Sequence, residues 1–145
     1  MNMPRTTLAF LSAFIAFHAG GVVPVRGASL GTCELSITSP SDDAEVDPFT
    51  SVSGTISSET AAVAGSNVWV IIHPDNSWYW VQGMAQASKG AWRANTQFWD
   101  PDTRPGFHFE IRAFAAPTIP IKNGDKLSSF PMAACSSKLV NVRRK

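Results

Sequence analysis

Asn67 to Gly83, NVWVIIHPDNSWYWVQG, is the stretch that most limits what this chain can fold into. Val68, Trp69, Val70, Ile71 and Ile72 are β-branched or aromatic and suit a pleated surface, while HPDNS interrupts the run with a proline and a polar turn cluster. Trp78, Tyr79, Trp80 and Val81 then resume it. The stretch reads as a β-hairpin, apolar over most of its length, so neighbouring elements must cover it.

The flanking chain supplies such elements. CELSIT (33–38) sets Leu35 and Ile37 against polar neighbours, TSVSGTIS places Val52, Gly54 and Ile56 on one face, and AWRANTQF sets Trp92, Ala94, Thr96 and Phe98 against Arg93, Asn95 and Gln97. FHFEIRAFA alternates most cleanly, with Phe107, Phe109, Ile111 and Ala113 opposing His108, Glu110, Arg112 and Phe114, and KLVNVRR reads as a short last strand. SSETAAVAGS (57–66) reads as a flexible connector. APTIPIKNGDKLSSFPMA reads as a long loop over one end of the molecule, with KNGDK a tight turn. About seven short strands and no convincing amphipathic helix predict an all-β fold, an antiparallel two-sheet sandwich.

At 145 residues the chain allows one domain. Residues 1–27 carry Arg5, the apolar run LAFLSAFIAF, a breaking GGVVP and then VRG, the pattern of a signal peptide. The run falls short of the roughly 18 residues expected of a membrane span, so no transmembrane anchor is expected, and 28–145 form the single mature domain. Without Arg5 and Arg26, 10 of the 12 basic residues remain against 11 acidic ones, a formal charge of −1 that excludes a nucleic-acid footprint. A secreted or periplasmic location follows, and in such a compartment Cys33 and Cys135 are expected to be bridged. The competing reading makes LGTC, Leu30 to Cys33, a lipoprotein box, which leaves Cys135 without a partner.

The succession ITSP, SGTIS, NVWVIIHP, WYWVQG, a turn before AW, then FHFEIRA resembles the small bacterial extracytoplasmic Ig-like domains over most of residues 35–116. The resemblance implies an immunoglobulin-like sandwich in which the third strand pairs with the sixth. It also implies a surface, adhesion, ligand-sensing or spacing role with no active site.

A hairpin loop at Pro74–Ser77 would pair Ile71 with Trp80 and Val70 with Val81. Val68, Val70, Ile72, Tyr79 and Val81 would then share one face, and Trp69, Ile71, His73, Trp78, Trp80 and Gln82 the other. Burying the more uniformly apolar face exposes the tryptophans, so the expected protein- or ligand-binding face is Trp69, Ile71, Trp78 and Trp80, extended by Glu110, Arg112 and Phe114. Two readings stay open beside it: an inward Trp69 with reversed parity, and a face covered by the loop at 117–134.

Chemistry is sparsely encoded. His73 lies near Asp75 and Ser77, but the chain has no metalloprotease helix or phosphate loop, so no enzyme and no catalytic residue is expected. Asp42, Asp43, Glu45 and Asp47 lack the glycine and distal glutamate of a calcium loop, and Asp100 and Asp102 alone make no metal site; neither metal nor cofactor is expected. The expectation is a monomeric binding or surface module whose partner is a protein or glycan outside the cell or at its envelope. Its alternatives are a carbohydrate-binding module stacking sugars on Trp78 and Trp80, and an Ig-like peptidase inhibitor using HPDNS and FWDPDTRPG as a wedge.

Overall fold

The structure, a computed structural model, describes residues 32–99 and 103–145. The signal peptide, the first half of the lipoprotein box (Leu30 and Gly31) and the Asp100–Asp102 turn lie outside the described residues. The elements in chain order are β1 (Leu35–Ser39), β2 (Ala44–Val46), β3 (Phe49–Ile56), α1 (Ser58–Ala64), β4 (Asn67–Pro74), β5 (Tyr79–Gln86), β6 (Ala91–Gln97), β7 (His108–Pro117), β8 (Lys126–Leu127), β9 (Ala133–Ser136) and β10 (Val140–Arg144). They form two packed sheets. The smaller is ordered β1-β3-β6; the larger is ordered β2-β10-β7-β4-β5-β8, with β9 also on β7. All pairs are antiparallel except β2 with β10.

The alternation seen in the sequence becomes the core. Val52, Ile56, Trp92, Ala94 and Phe98 of the smaller sheet face Val68, Val70, Ile72, Phe109, Ile111, Ala113 and Val142 of the larger. Phe98 and Phe109 meet edge to face across the layers, with centroids 5.4 Å apart, a favoured aromatic geometry. Gly54 pairs with Trp92, and a Cβ there would overlap the Ser36 carbonyl oxygen and crowd the indole. Only glycine lets β1 and Trp92 close on the same point of β3.

Residues 57–66, expected to be a flexible connector, instead contain helix α1. Its signals are local: Ser57 caps the N-terminus by accepting from the Thr60 N–H at 3.2 Å, and Gly65 ends it in the left-handed conformation at φ 61°. Seven residues are too few to hold a helix alone, and Ala61 and Ala64 anchor this one on the core between the two sheets.

The 118–132 segment also departs from expectation. It crosses the outer face of the larger sheet rather than the end of the sandwich, contributing β8 on the way, and Ile121, Leu127 and Phe130 pack over Ile71, Val81 and Phe114. The chain then returns as β9 on one half of β7 and β10 on the other. Between them the buried Ser137 takes over the ladder: its Oγ accepts from the Ala113 N–H at 2.9 Å and its own N–H donates to the Ala113 carbonyl at 2.9 Å. In the acidic loop Asp42 Oδ1 accepts the Asn141 N–H at 2.8 Å, docking β2 beside β10.

Cys33 and Cys135 are bridged across a sequence separation of 102, joining the entry to β1 in one sheet to β9 in the other. Replacing both by serine should cost about 4–5 kcal/mol in the loop-entropy account, read as a lower denaturant midpoint; an unchanged midpoint would mean that packing alone fixes both ends. Gly54→Ala should lower stability by roughly 2 kcal/mol or more, with amide exchange rising first along β1.

Candidate functional site

The hairpin differs from its expected register. Ile71 pairs with Val81 and Ile72 with Trp80, and beyond a bulge Val70 pairs with Gly83 and Trp69 with Met84. Two local causes account for the shift. Asn76 takes a left-handed conformation at φ 58° and the turn leaves Trp78 outside β5, which moves the pairing by one residue. Gln82 is then the extra residue of the bulge, beside Gly83 at φ 152°. The parity therefore holds on β4, with Val68, Val70 and Ile72 inward, but reverses on the first half of β5. Tyr79 and Val81 lie with Ile71 on the outer face, and Trp80 and Gln82 turn toward the smaller sheet.

This disperses the expected binding face. Trp69, Ile71, Glu110, Arg112 and Phe114 do share one side, β4 pairing with β7 as Trp69 with Phe114, Ile71 with Arg112 and His73 with Glu110. Trp78 stands at the hairpin turn, 54% exposed, and Trp80 is on the opposite side. Ile71 and Phe114 are fully buried under the crossing segment, and Trp69 is half-buried. Physically, a strand apolar on both sides needs cover on both, and 118–132 supplies the second.

What remains of that face is a stack of interlocked groups. His73 Nδ1 donates to Glu110 Oε2 at 2.9 Å, its ring stacks on Tyr79 at 3.9 Å, and Phe130 meets both rings edge-on while Arg112 lies 5.5 Å above it. His73 thus spends its polar contact on Glu110, a residue that proximity to Asp75 and Ser77 in sequence did not suggest. Such an arrangement holds a roof in place.

An open recess lies elsewhere, at the edge where the two sheets meet. A cleft of about 600 Å³ runs between β6 with the adjoining end of β3 on one side and β5 with the Asn123–Gly124 turn on the other. That volume is within the range of about 300–1,000 Å³ typical of small-ligand sites. Phe49 and Trp99 stand at it, 74% and 56% exposed. Trp80 forms part of the wall, held by Lys126 Nζ 4.7 Å from its ring centroid. Gln82 crosses from sheet to sheet, its Oε1 accepting the Gln97 main-chain N–H at 2.8 Å and leaving its NH₂ as a donor.

Pleating adds main-chain groups to this list. Gln97 turns its N–H away from β3, so Asn95, two residues earlier, presents its N–H and C=O to the same open edge. Thr96, between them, faces inward and is 2% exposed, and its Oγ1 has no hydrogen-bond partner. A buried hydroxyl left unpaired costs about 1–3 kcal/mol. Every side chain lining the cleft is uncharged: aromatic, aliphatic, amide or hydroxyl.

Sequence reasoning missed Phe49, Gln82, Thr96 and Asn123 as cleft residues and met Trp99 only within the FWDPDTRPG wedge of the inhibitor reading. One signal was legible. The alternation that correctly placed Trp92, Ala94 and Phe98 inward also placed Thr96 there, a hydroxyl in an otherwise apolar series. Among the described residues no three His, Cys, Asp or Glu side chains cluster as metal ligands, and no helix is long and apolar enough to cross a membrane. No protein-family model and no curated protein matches the chain.

Phe130 should behave as the keystone of the covered face. Phe130→Ala should lower stability by about 2 kcal/mol, less than a full core truncation because the ring is half-buried, and should bring binding of an apolar dye as the face opens. Loss of stability without dye binding would mean that the roof recloses over the gap.

Proposed function

We propose that this protein is an exported, non-enzymatic binding module that holds its ligand in the edge cleft between the sheets. The observation that carries the reading is the uncharged cleft itself, with two exposed aromatic rings at it and hydrogen-bonding groups inside. A rigid pocket built on strands and closed by a bulge suits recognition, because its polar groups are oriented before the ligand arrives. The disulfide supports an oxidising location outside the cytoplasm, secreted or periplasmic. The Ig-like resemblance fits the same address and a monomeric domain that meets its ligand at the cell envelope or beyond it.

This reading moves the site away from the outer sheet face. That face offers Trp69, Glu110 and Arg112 only in part, since Ile71 and Phe114 are covered. A protein partner would need roughly 800 Å² of accessible surface on this chain, and a roofed, half-buried strip is poorly suited to supply it. The cleft is concave and already formed.

Two single-tryptophan variants distinguish the sites. Ligands retained from soluble extracts of polysaccharides and peptides should bind Trp99→Ala about tenfold more weakly, measured by titration calorimetry, and should bind Trp78→Ala as tightly as the parent. The reverse order would return the site to the hairpin turn.

A further inference from the structure

The chemistry of the cleft narrows its ligand further. A charged ligand such as a phosphate or a uronate needs an opposite charge, and the cleft lining has none; Lys126 is engaged over the Trp80 ring. An apolar ligand would leave the amides of Gln82 and Asn123 and the Asn95 main chain facing a surface that cannot bond them. A ligand dense in hydroxyl groups, each both donor and acceptor, with a flat C–H face to lie on an aromatic ring, satisfies both sets at once.

Resting on the reading of the cleft as the binding site, we propose that the cleft takes a neutral oligosaccharide. One pyranose ring lies against Trp99, with Phe49 beside it at the mouth, and its hydroxyl groups meet the Gln82 NH₂ and the Asn95 main chain. Trp80 is a wall rather than a stacking platform, because Lys126 already occupies a face of its ring. Gln82 is a positioning residue: its bond to Gln97 holds the two sheet edges at the separation the ring requires.

The test uses the disulfide-bonded protein on an array of neutral and anionic glycans, followed by calorimetric titration of the best-bound soluble oligosaccharide into parent, Trp78→Ala and Trp99→Ala. The expected result is retention of neutral glycans, at least about a tenfold loss of affinity in Trp99→Ala, parent affinity in Trp78→Ala, and a Trp99→Ala thermal midpoint close to the parent's, since that ring is exposed. That combination separates a lost stacking ring from a loosened fold, which would lower the midpoint as well. Binding confined to anionic glycans, or full affinity in Trp99→Ala, overturns the proposal. A blank array overturns it too, and a peptide library then tests the cleft: peptides that lose affinity in Trp99→Ala would leave the cleft as the site, and their failure to bind would remove it as well.

Discussion

A strand that is apolar on both sides cannot end a protein; it must lie in the middle of one. β4 is such a strand, with Val68, Val70 and Ile72 on one side and Trp69 and Ile71 on the other. β7 beside it carries Phe109, Ile111, Ala113 and Ala115 against Phe114. The smaller sheet covers one side of this pair, and the architecture follows from the need to cover the other. The 118–132 crossing does so with Ile121, Leu127 and Phe130, which makes the molecule three layers deep over β4 and two elsewhere.

The crossing is short of regular hydrogen bonds, so its position depends on how it is tied. Midway along it β8 pairs with Tyr79 and Trp80, and the Gly124 N–H donates to the Val81 carbonyl at 2.8 Å while the Val81 N–H donates to the Asp125 carbonyl at 3.0 Å. Where it ends, β9 pairs with β7 and Cys135 is bridged to Cys33 at the start of the smaller sheet. The disulfide therefore links the larger sheet, at the point where the crossing rejoins it, to the smaller one. Constraining the unfolded chain has greatest effect between segments that local structure leaves furthest apart.

The strands were legible because each alternates, and alternation is a property of neighbouring residues. Trp92 to Phe98 and Phe107 to Ala113 could be assigned a face from a few positions each. Helix α1 was carried by Ser57 and Gly65, local signals obscured by a run of small residues without an apolar stripe. The roof was legible only as one of the readings left open, a face covered by the loop at 117–134: Pro117 to Met132 breaks every period, and its placement is decided by the apolar face it meets, which lies far away in sequence. The hairpin pairing failed for a narrower reason. Whether Trp78 belongs to the turn or the strand depends on the backbone of Asn76, and sequence alone admits both.

That one-residue difference governs where the recess lies. In the expected register Trp80 and Gln82 lie on the outer face, where the crossing segment would cover them as it covers Ile71. The longer turn and the bulge at Gly83 turn both toward the smaller sheet, and Gln82 then reaches the main chain of Gln97 instead of solvent. Because the bulge also bends β5, the two sheet edges part beside that bond rather than closing on each other, and the recess lined by Phe49, Thr96 and Trp99 results. A chain with the same core but a tight two-residue hairpin would keep its sandwich and lose this geometry. The site is therefore a consequence of local turn chemistry acting on a core that is indifferent to it.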